Sequence, residues 1–242
     1  MAEDEIIKHT KTVYKTWKDP HRSWMHKAKE ILVEVLIIVF AVSVSIWFHN
    51  WSEGLKDRKE EKEFLTGLKG DLQGDIIQMQ GDMNSYKKVI SGIHYYMNME
   101  NKTMPIITDS LIKYKNILFS TTQLVPNVSR FEALKSSGKL SIIENKELLS
   151  KILNLYQGHI AQIFILNNGY NEFKNNHLGT FLDDNLEFDA AGQPINLEKI
   201  FAMNKMRIYL VRGLGAQQNV DEYQAAINEC HEIINEIDKE LR

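Results

Sequence analysis

The chain has 242 residues, of which 43% are hydrophobic and 25% are charged, and its formal net charge at pH 7 is −3. This apolar content excludes a wholly disordered chain, and the lack of a net basic charge gives no electrostatic reason to expect nucleic-acid binding. Cys230 is the only cysteine, so the chain can form neither an internal disulfide nor a cysteine-based zinc site. We expect Cys230 to be a small buried residue.

Residues 31–48 form an apolar run, ILVEVLIIVFAVSVSIWF, in which Glu34 is the only charged residue. A helix of this length spans about 27 Å, close to the thickness of the hydrocarbon layer of a bilayer. Tryptophan is enriched at the level of the lipid headgroups, and the expected interface anchors are Trp24, Trp47 and Trp51. We predict a transmembrane helix over 31–51. A cleaved signal peptide is the alternative, disfavoured by the long mixed-charge segment before the run.

The basic residues around this run predict an orientation. Five lie between Lys15 and Lys29, and four lie between Lys56 and Lys62. Because basic residues are enriched on the cytoplasmic side of a membrane, this small excess predicts a cytoplasmic arm over 1–30. The remainder of the chain is then expected to be an extracytoplasmic domain, residues 52–242.

Glu34 shares one face of the predicted span with Ile38, Ala41 and Ser45, because a helix advances about 100° per residue. Ala41 and Ser45 form a small-xxx-small pair, which lets two helices approach closely. One interpretation is a self-association face, with Glu34 hydrogen-bonded across it. The alternative is that Glu34, near the end of the span, extends its carboxylate to the interface.

After the span, a charged neck over 57–63 leads into a stripe of apolar residues spaced three and four apart. This spacing predicts a helix that continues out of the membrane. The stripe comprises Leu55, Phe64, Leu68, Leu72, Ile76, Met79, Met83, Tyr86, Val89, Ile90 and Ile93.

Further helices are predicted along the rest of the chain. A second helix is expected over 108–120, followed by a loop at Pro126. Ser129 and Glu132 are spaced as a capping box for a short helix, which Gly138 would end in the left-handed conformation. Asn145 is expected to cap a long helix whose stripe extends to residue 166.

The last part of the chain is expected to form a turn-rich loop over 183–196 and two closing helices, at 197–217 and 220–241. No useful run of alternating polar and apolar residues predicts a strand. The predicted fold class is therefore all-α: an N-terminal transmembrane helix followed by an up-and-down helical bundle with a long neck helix.

Two segments carry a resemblance to a known group of proteins. The first, residues 30–72, contains Ile31, Leu32, Glu34, Asn50 and Trp51 before a charged neck. The second is FEALKSSGKLSIIENKELLSKI, in which the aligned positions are Phe131, Leu134, Ser136, Ser137, Gly138, Leu140, Ile143 and Leu148. These segments, about a quarter of the chain, resemble membrane-anchored Bacteroidota proteins grouped as a domain of unknown function; Val35 and Val39 depart from the usual pattern.

That resemblance implies a protein of the inner (cytoplasmic) membrane with a periplasmic helical domain, and it implies no activity. The sequence contains no G-x-S-x-G, H-E-x-x-H or Rossmann fingerprint. We accordingly predict no enzyme, no catalytic or cofactor-binding residue and no metal ligand. The expected role is a scaffold or interaction protein. There are two alternatives. One is a channel or transport accessory subunit that uses Glu34, and the other is an unrecognised enzyme.

The expected partners are the lipid bilayer and either further copies of the chain or a membrane or periplasmic protein. Nucleic acid is not expected. The short predicted helix after Pro126 is the candidate partner-binding segment. Its candidate contact residues are Phe131, Leu134, Lys135, Ser137 and Gly138.

Overall fold

The computed structural model describes residues 11, 24–100 and 120–242. Across these residues the regular elements are helical, with one isolated antiparallel bridge between Phe188 and Pro194. The all-α fold class predicted from the spacing of apolar residues is therefore confirmed.

The chain divides into two compact units, Met1–Glu61 and Lys62–Arg242. The second unit contains the helical bundle and its core, and the apolar run belongs to the first. The helix expected over 108–120 lies outside the described residues, except for Ser120, as does most of the expected N-terminal arm (1–30).

Helix α1 (Trp24–Glu100) has 77 residues, which confirms that the helix continues beyond the apolar run. The predicted stripe is buried from Phe64 onward, with Ile90 half-buried. Leu55, the first residue of the stripe, lies in this helix but is 54% exposed, because it belongs to the first unit and lies outside the bundle core. The buried stripe residues are Phe64, Leu68, Leu72, Ile76, Met79, Met83, Tyr86, Val89 and Ile93.

Helix α2 (Ser129–Ser136) begins without the predicted capping box, so that prediction is wrong. Val128 holds the N-cap position with a helical backbone, and no side chain caps the helix. The Val128 N–H donates to Pro126 O at 3.0 Å, and Val128 O accepts from Glu132 N at 2.9 Å. The turn thus starts one residue earlier than predicted, which places the Ser129 side chain inside the first turn.

Gly138 ends α2 as predicted, with φ at 71°. Its N–H donates to Lys135 O at 3.1 Å, and the Lys139 N–H donates to Leu134 O at 3.2 Å. These two bonds form a Schellman motif, which satisfies carbonyls at the helix end and favours glycine. A 3₁₀ turn, Leu140–Ile142, follows.

Helix α3 is a continuous helical run over 146–185 that contains two π-helical turns. Asn145 caps it as predicted, since its side-chain oxygen accepts from Glu147 N and Leu148 N, each at 3.0 Å. The sequence did not predict the π turns. The segments of α3 are Lys146–Asn154, the π turn Leu155–His159, Ile160–Glu172, the π turn Phe173–Gly179, and Thr180–Asn185.

The closing helices differ from the prediction. The helix expected over 197–217 is two helices, α4 (Leu197–Phe201) and α5 (Asn204–Gly213), because Met203 has an extended backbone with ψ at 134°. The last helix, α6 (Ala216–Glu240), begins four residues earlier than expected. A Cβ at Gly213 would lie 2.8 Å from Ile93 Cδ1, so glycine allows α5 to approach α1 closely.

The core of the second unit joins side chains of α1 to those of every later helix. For example, the rings of Tyr96 and Phe201 stack with centroids 3.8 Å apart. Cys230 is fully buried, as predicted. The largest fully buried side chains include Tyr86, Tyr96, Tyr223, Phe131, Leu65, Leu68, Leu72 and Met79.

Two glycine-to-alanine substitutions should have opposite effects on the free energy of unfolding. Gly138→Ala places a Cβ on a backbone with φ of 71°, which should destabilise the protein by about 1 kcal/mol. Gly70→Ala lies in α1 with open space around the added Cβ and should stabilise it by up to about 1 kcal/mol. Denaturant unfolding of the full-length protein in detergent checks both, and two changes of the same sign would contradict the assigned conformations.

Candidate functional site

The apolar run lies on the surface of the described structure. Within these residues, α1 is the one helix long and apolar enough to span a membrane, and none of its most apolar 18-residue stretch is buried. Phe40 is 71% exposed, for example. A helix in the core of a soluble protein would have such side chains covered. The described residues therefore fit a membrane-spanning helix better than a core helix.

The predicted interface anchors are all exposed. Trp24 is 80% exposed, near the start of α1. At the other end of the run, the rings of Trp47 and Trp51 are parallel within 3°, with centroids 6.2 Å apart. Phe48 packs against Trp51 with a centroid distance of 5.7 Å. An aromatic cluster therefore ends the run, as is typical of the headgroup level of a bilayer.

The four residues of the expected association face lie on α1 at the predicted helical spacing. Glu34 and Ile38 are half-buried, and Ala41 and Ser45 are exposed. Ser45 Oγ donates to Ala41 O at 2.9 Å, so the hydroxyl is satisfied within the helix, as is common in apolar surroundings. The role of this face in self-association stays a prediction.

Phe131 of the candidate partner-binding segment is fully buried. Its ring stacks on that of Tyr156, with centroids 4.4 Å apart and planes within 7°. Leu134 packs against the same core. In this fold Phe131 is therefore a core residue and cannot present its ring to a partner. Sequence reasoning could not recognise this burial, because α2 is too short for its buried face to be identified from spacing.

The other three residues of that segment are accessible at the end of α2. Lys135 Nζ lies 5.6 Å from the centroid of the Phe131 ring and 3.5 Å from a Glu132 carboxylate oxygen. Ser137 Oγ donates to Leu134 O at 2.8 Å. Ser137 and Gly138 are exposed. Partner binding by this exposed turn stays a prediction.

The structure also contains a polar site that the sequence did not predict. Four polar side chains of α1, spaced four, three and four residues apart, lie on one helical stripe. We call them the polar ladder: Asp71, Asp75, Gln78 and Asp82. They bind residues 120–130, and we call the non-helical segment 120–128 the strap. The signal in the sequence was this polar stripe beside the apolar one, which would ordinarily indicate a solvated face.

Two residues of the polar ladder, Asp75 and Asp82, have carboxylates that accept hydrogen bonds from the strap. Asp75 Oδ1 accepts from the backbone N–H of Asn127 at 3.0 Å and from its Nδ2 at 2.7 Å. Asp82 Oδ1 accepts from the Thr122 hydroxyl. These two contacts lie near the two ends of the strap, at Thr122 and Asn127.

The other two residues of the polar ladder, Gln78 and Asp71, bind Val125 and Arg130. The Gln78 amide, oriented as its surroundings require, pairs with both backbone groups of Val125, each at 3.0 Å. Asp71 Oδ2 accepts from Arg130 Nε at 2.8 Å. The Arg130 guanidinium lies over Gly67, in the space that a Cβ at this position would occupy.

Helix α3 binds the backbone carbonyls of the strap from the opposite side. Tyr156 Oη donates to Asn127 O at 3.4 Å, and Asn171 Nδ2 donates to Thr122 O at 3.3 Å. Lys174 Nζ donates to Ser120 O at 2.7 Å. Since Tyr156 and Lys174 lie in the two π turns, those turns present side chains to the strap; π turns are frequent at functional sites.

A buried hydrogen-bond network adjoins the ladder and links three helices. Tyr86 Oη donates to Asn167 Oδ1 at 2.9 Å, and Asn167 Nδ2 donates to Tyr223 Oη at 2.9 Å. Tyr223 Oη donates in turn to Asp82 Oδ2 at 3.3 Å. Burial raises the pKa of Tyr86 and Tyr223, so both hydroxyls remain donors at neutral pH. The network pairs α1, α3 and α6 in one register.

The strap contacts include polar groups that are costly to bury. Asp75 is 1% exposed, and desolvation raises the pKa of its carboxyl. Asp75 Oδ2 and Asn171 Oδ1 are buried acceptors with no hydrogen-bond partner in the described structure. Each orphaned acceptor costs about 1–3 kcal/mol, whereas a satisfied hydrogen bond contributes about 0.5–1.5 kcal/mol. The two orphaned acceptors therefore offset part of the stabilisation that the hydrogen bonds of the strap provide.

Lys174 is the buried cation of this site. It is 3% exposed, and desolvation lowers the pKa of its ammonium group to about 8. Its Nζ also lies 6.0 Å from the centroid of the Tyr170 ring. The cation is thus buried at some cost to the folded state at neutral pH.

The described side chains show little that could carry chemistry. No group of three or more His, Cys, Asp or Glu side chains lies close enough to hold a metal among the residues described. Burial raises the pKa of the Cys230 thiol to about 12, so the reactive thiolate is scarce at neutral pH. The polar ladder binds the chain's own strap.

Because Lys174 is buried, we predict that the free energy of unfolding rises between pH 7 and pH 9. Its pKa is about 8 in the folded state, against an ordinary value of 10.5, so the unfolded state binds more protons between those values. Stability from this group is therefore reduced below pH 8 and recovers as the pH rises, by about 1 kcal/mol between pH 7 and pH 9.

Denaturant unfolding at the two pH values checks this expectation. Lys174→Met should lose that increment relative to wild type, and the exposed control Lys205→Met should keep it. Comparison at matched pH cancels the titration of other groups. An equal pH response in all three proteins would contradict the assigned burial of the ammonium group.

The comparisons with known proteins identify a family and no function. The model of a family of unknown function, DUF6090, matches residues 31–180, which is more than half of the chain. The matched region includes the apolar run, the polar ladder, the strap and most of α3. The comparisons with curated proteins and with solved structures gave no match. The chain therefore belongs to DUF6090, a family of unknown function.

Proposed function

We propose that this protein is a single-pass, membrane-anchored interaction protein without catalytic activity, whose helical unit binds a partner or another copy. The observation that carries the proposal is the uncovered apolar run of α1, none of which is buried. In water, this much exposed apolar surface would be unfavourable by about 25 cal/mol for each Å². In a bilayer the same surface faces lipid, and the helix satisfies its own backbone hydrogen bonds.

The proposed location is the inner membrane of a Bacteroidota bacterium, with residues 1–30 in the cytoplasm and residues 52–242 in the periplasm. The excess of basic residues before the run supports this orientation. The aromatic cluster of Trp47, Phe48 and Trp51 supports an interface at the far end of the span.

An interaction role is favoured over catalysis by the chemistry of the described side chains. The Cys230 thiol is buried and its pKa is raised. The carboxylate of Asp75 and the ammonium of Lys174 are buried against the strap. A catalytic group must reach a substrate, and these groups face their own chain.

Self-association is proposed to use the face of Glu34, Ile38, Ala41 and Ser45. Small side chains at Ala41 and Ser45 let two helices pack closely in lipid, where polar groups on facing helices also stabilise association. A transport accessory role would use the same face, with Glu34 lining an oligomeric assembly.

Membrane insertion is tested by placing charge in the run. The double variant Leu36→Arg, Val39→Arg should leave the alkali-resistant membrane fraction, because each arginine near the middle of a span costs about 2.5–3.5 kcal/mol. Ile77→Arg, at a position in the second unit that is 72% exposed, is the matched control and should stay in that fraction.

A C-terminal phosphatase fusion, active only outside the cytoplasm, measures orientation in the same experiment. High activity supports the periplasmic assignment. Extraction of the wild-type protein by alkali would reject the anchor, and an inactive fusion on an alkali-resistant protein would reverse the orientation.

Self-association is tested by measuring the mass of the protein in a mild detergent. The wild type should form an oligomer, and Ala41→Leu should lower its association by about tenfold because the larger side chain separates the helices. Glu34→Leu should weaken it if the carboxyl group bonds across the interface. Val39→Leu, on the opposite face, is the control.

A monomeric wild type would reject both self-association and the transport role, while leaving the anchor in place. An oligomer that is unchanged by both Glu34→Leu and Ala41→Leu would show that the chain associates through a different surface.

A further inference from the structure

We propose that the strap, residues 120–128, is a latch that opens while the rest of the helical unit stays folded. The proposal goes beyond membrane anchoring and self-association, because it concerns a movement within the second unit. It rests on how the strap is held between α1 and α3.

Apolar burial contributes little to holding the strap. Leu124 is its one deeply buried side chain, at 1% exposure, whereas Val125 is 73% exposed. The bundle core beneath it, by contrast, joins side chains from all six helices. Because apolar burial is the main source of cooperative stability, the strap is attached much more weakly than the helices.

The remaining contacts are polar and incompletely satisfied. Asp75 is buried against the strap with Oδ2 unbonded, and Asn171 donates to Thr122 O while its Oδ1 is unbonded. Asp71, one turn away on α1, adds to the rise in the pKa of the Asp75 carboxyl. From other elements, the Tyr156 hydroxyl of α3 and the Cys230 thiol of α6 face the same carboxyl, which adds to the rise in the pKa of each. Opening returns the Asp75 and Asn171 acceptors to water, which offsets part of the loss of the hydrogen bonds that hold the strap.

Opening would also change the surface of the unit. It exposes the polar ladder on one side and Tyr156, Asn171 and Lys174 on the other. All of these except Asp71 and Asp82 bind main-chain atoms of the strap. The uncovered groove therefore carries groups that recognise an extended main chain, and in the closed state the strap occupies it. Segments held in this way open at lower free energy than the global fold.

Thiol labelling of the full-length protein in detergent tests the latch. Leu124→Cys places a reporter thiol in the strap, and the native Cys230, fully buried in α6, reports global unfolding. Under native conditions the strap reporter should be labelled at least about tenfold faster than Cys230, after correction for the rates of the unfolded peptides. Leu148→Cys, at another fully buried leucine, is the matched control and should label at the rate of Cys230.

A core substitution separates local opening from global unfolding. Ile152→Val, at a fully buried position of α3, should accelerate labelling of Cys230 by about two- to tenfold and leave the strap reporter unchanged. The proposal is overturned if the strap reporter and Cys230 label at equal rates, if Ile152→Val accelerates both equally, or if the strap reporter labels as fast as an unfolded peptide.

Discussion

One apolar stripe of α1, from Phe64 to Tyr96, supports every other element of the helical unit. Tyr96 stacks on α4, Ile93 meets α5 at Gly213, and Tyr86 bonds to Asn167 of α3. The adjacent polar stripe of the same helix holds the strap and Arg130. Because both stripes lie on one helix, the bundle and the strap share a single scaffold, and a change in α1 affects both.

The sequence predicted those features that depend on local chemistry. The stripe of α1 follows from apolar residues three and four apart. Asn145 caps α3 because its side chain reaches N–H groups two and three residues ahead, and Gly138 ends α2 because its backbone requires a positive φ. None of these outcomes depends on which other segment packs nearby, so the chain itself contains the necessary information.

Features that depend on distant segments could not be predicted. The failed cap at Ser129 is a local exception, since the neighbouring residues Pro126 and Val128 start the turn one residue earlier. The π turns of α3 could not be predicted either, because they orient side chains toward distant segments. Tyr156, for example, stacks on Phe131 and donates to the strap. For the candidate site, the sequence placed Glu34, Ile38, Ala41 and Ser45 on one helix, as the structure does, and their role as an association face stays a prediction. The sequence placed Phe131 among the partner contacts although the ring is buried. It gave no prediction for the polar ladder, because the strap that covers these residues lies about 40–50 residues away along the chain.

Gly67 illustrates how one position limits another. The Arg130 guanidinium fills the space beside Gly67 and bonds to Asp71. It fits there because glycine has no side chain. The two positions are therefore epistatic. Alanine at 67 would displace the guanidinium and break its bond to Asp71, whereas a shorter residue at 130 would leave room for it. In related chains, residues 67 and 130 should vary as a pair, with bulk permitted at one only where it is absent from the other.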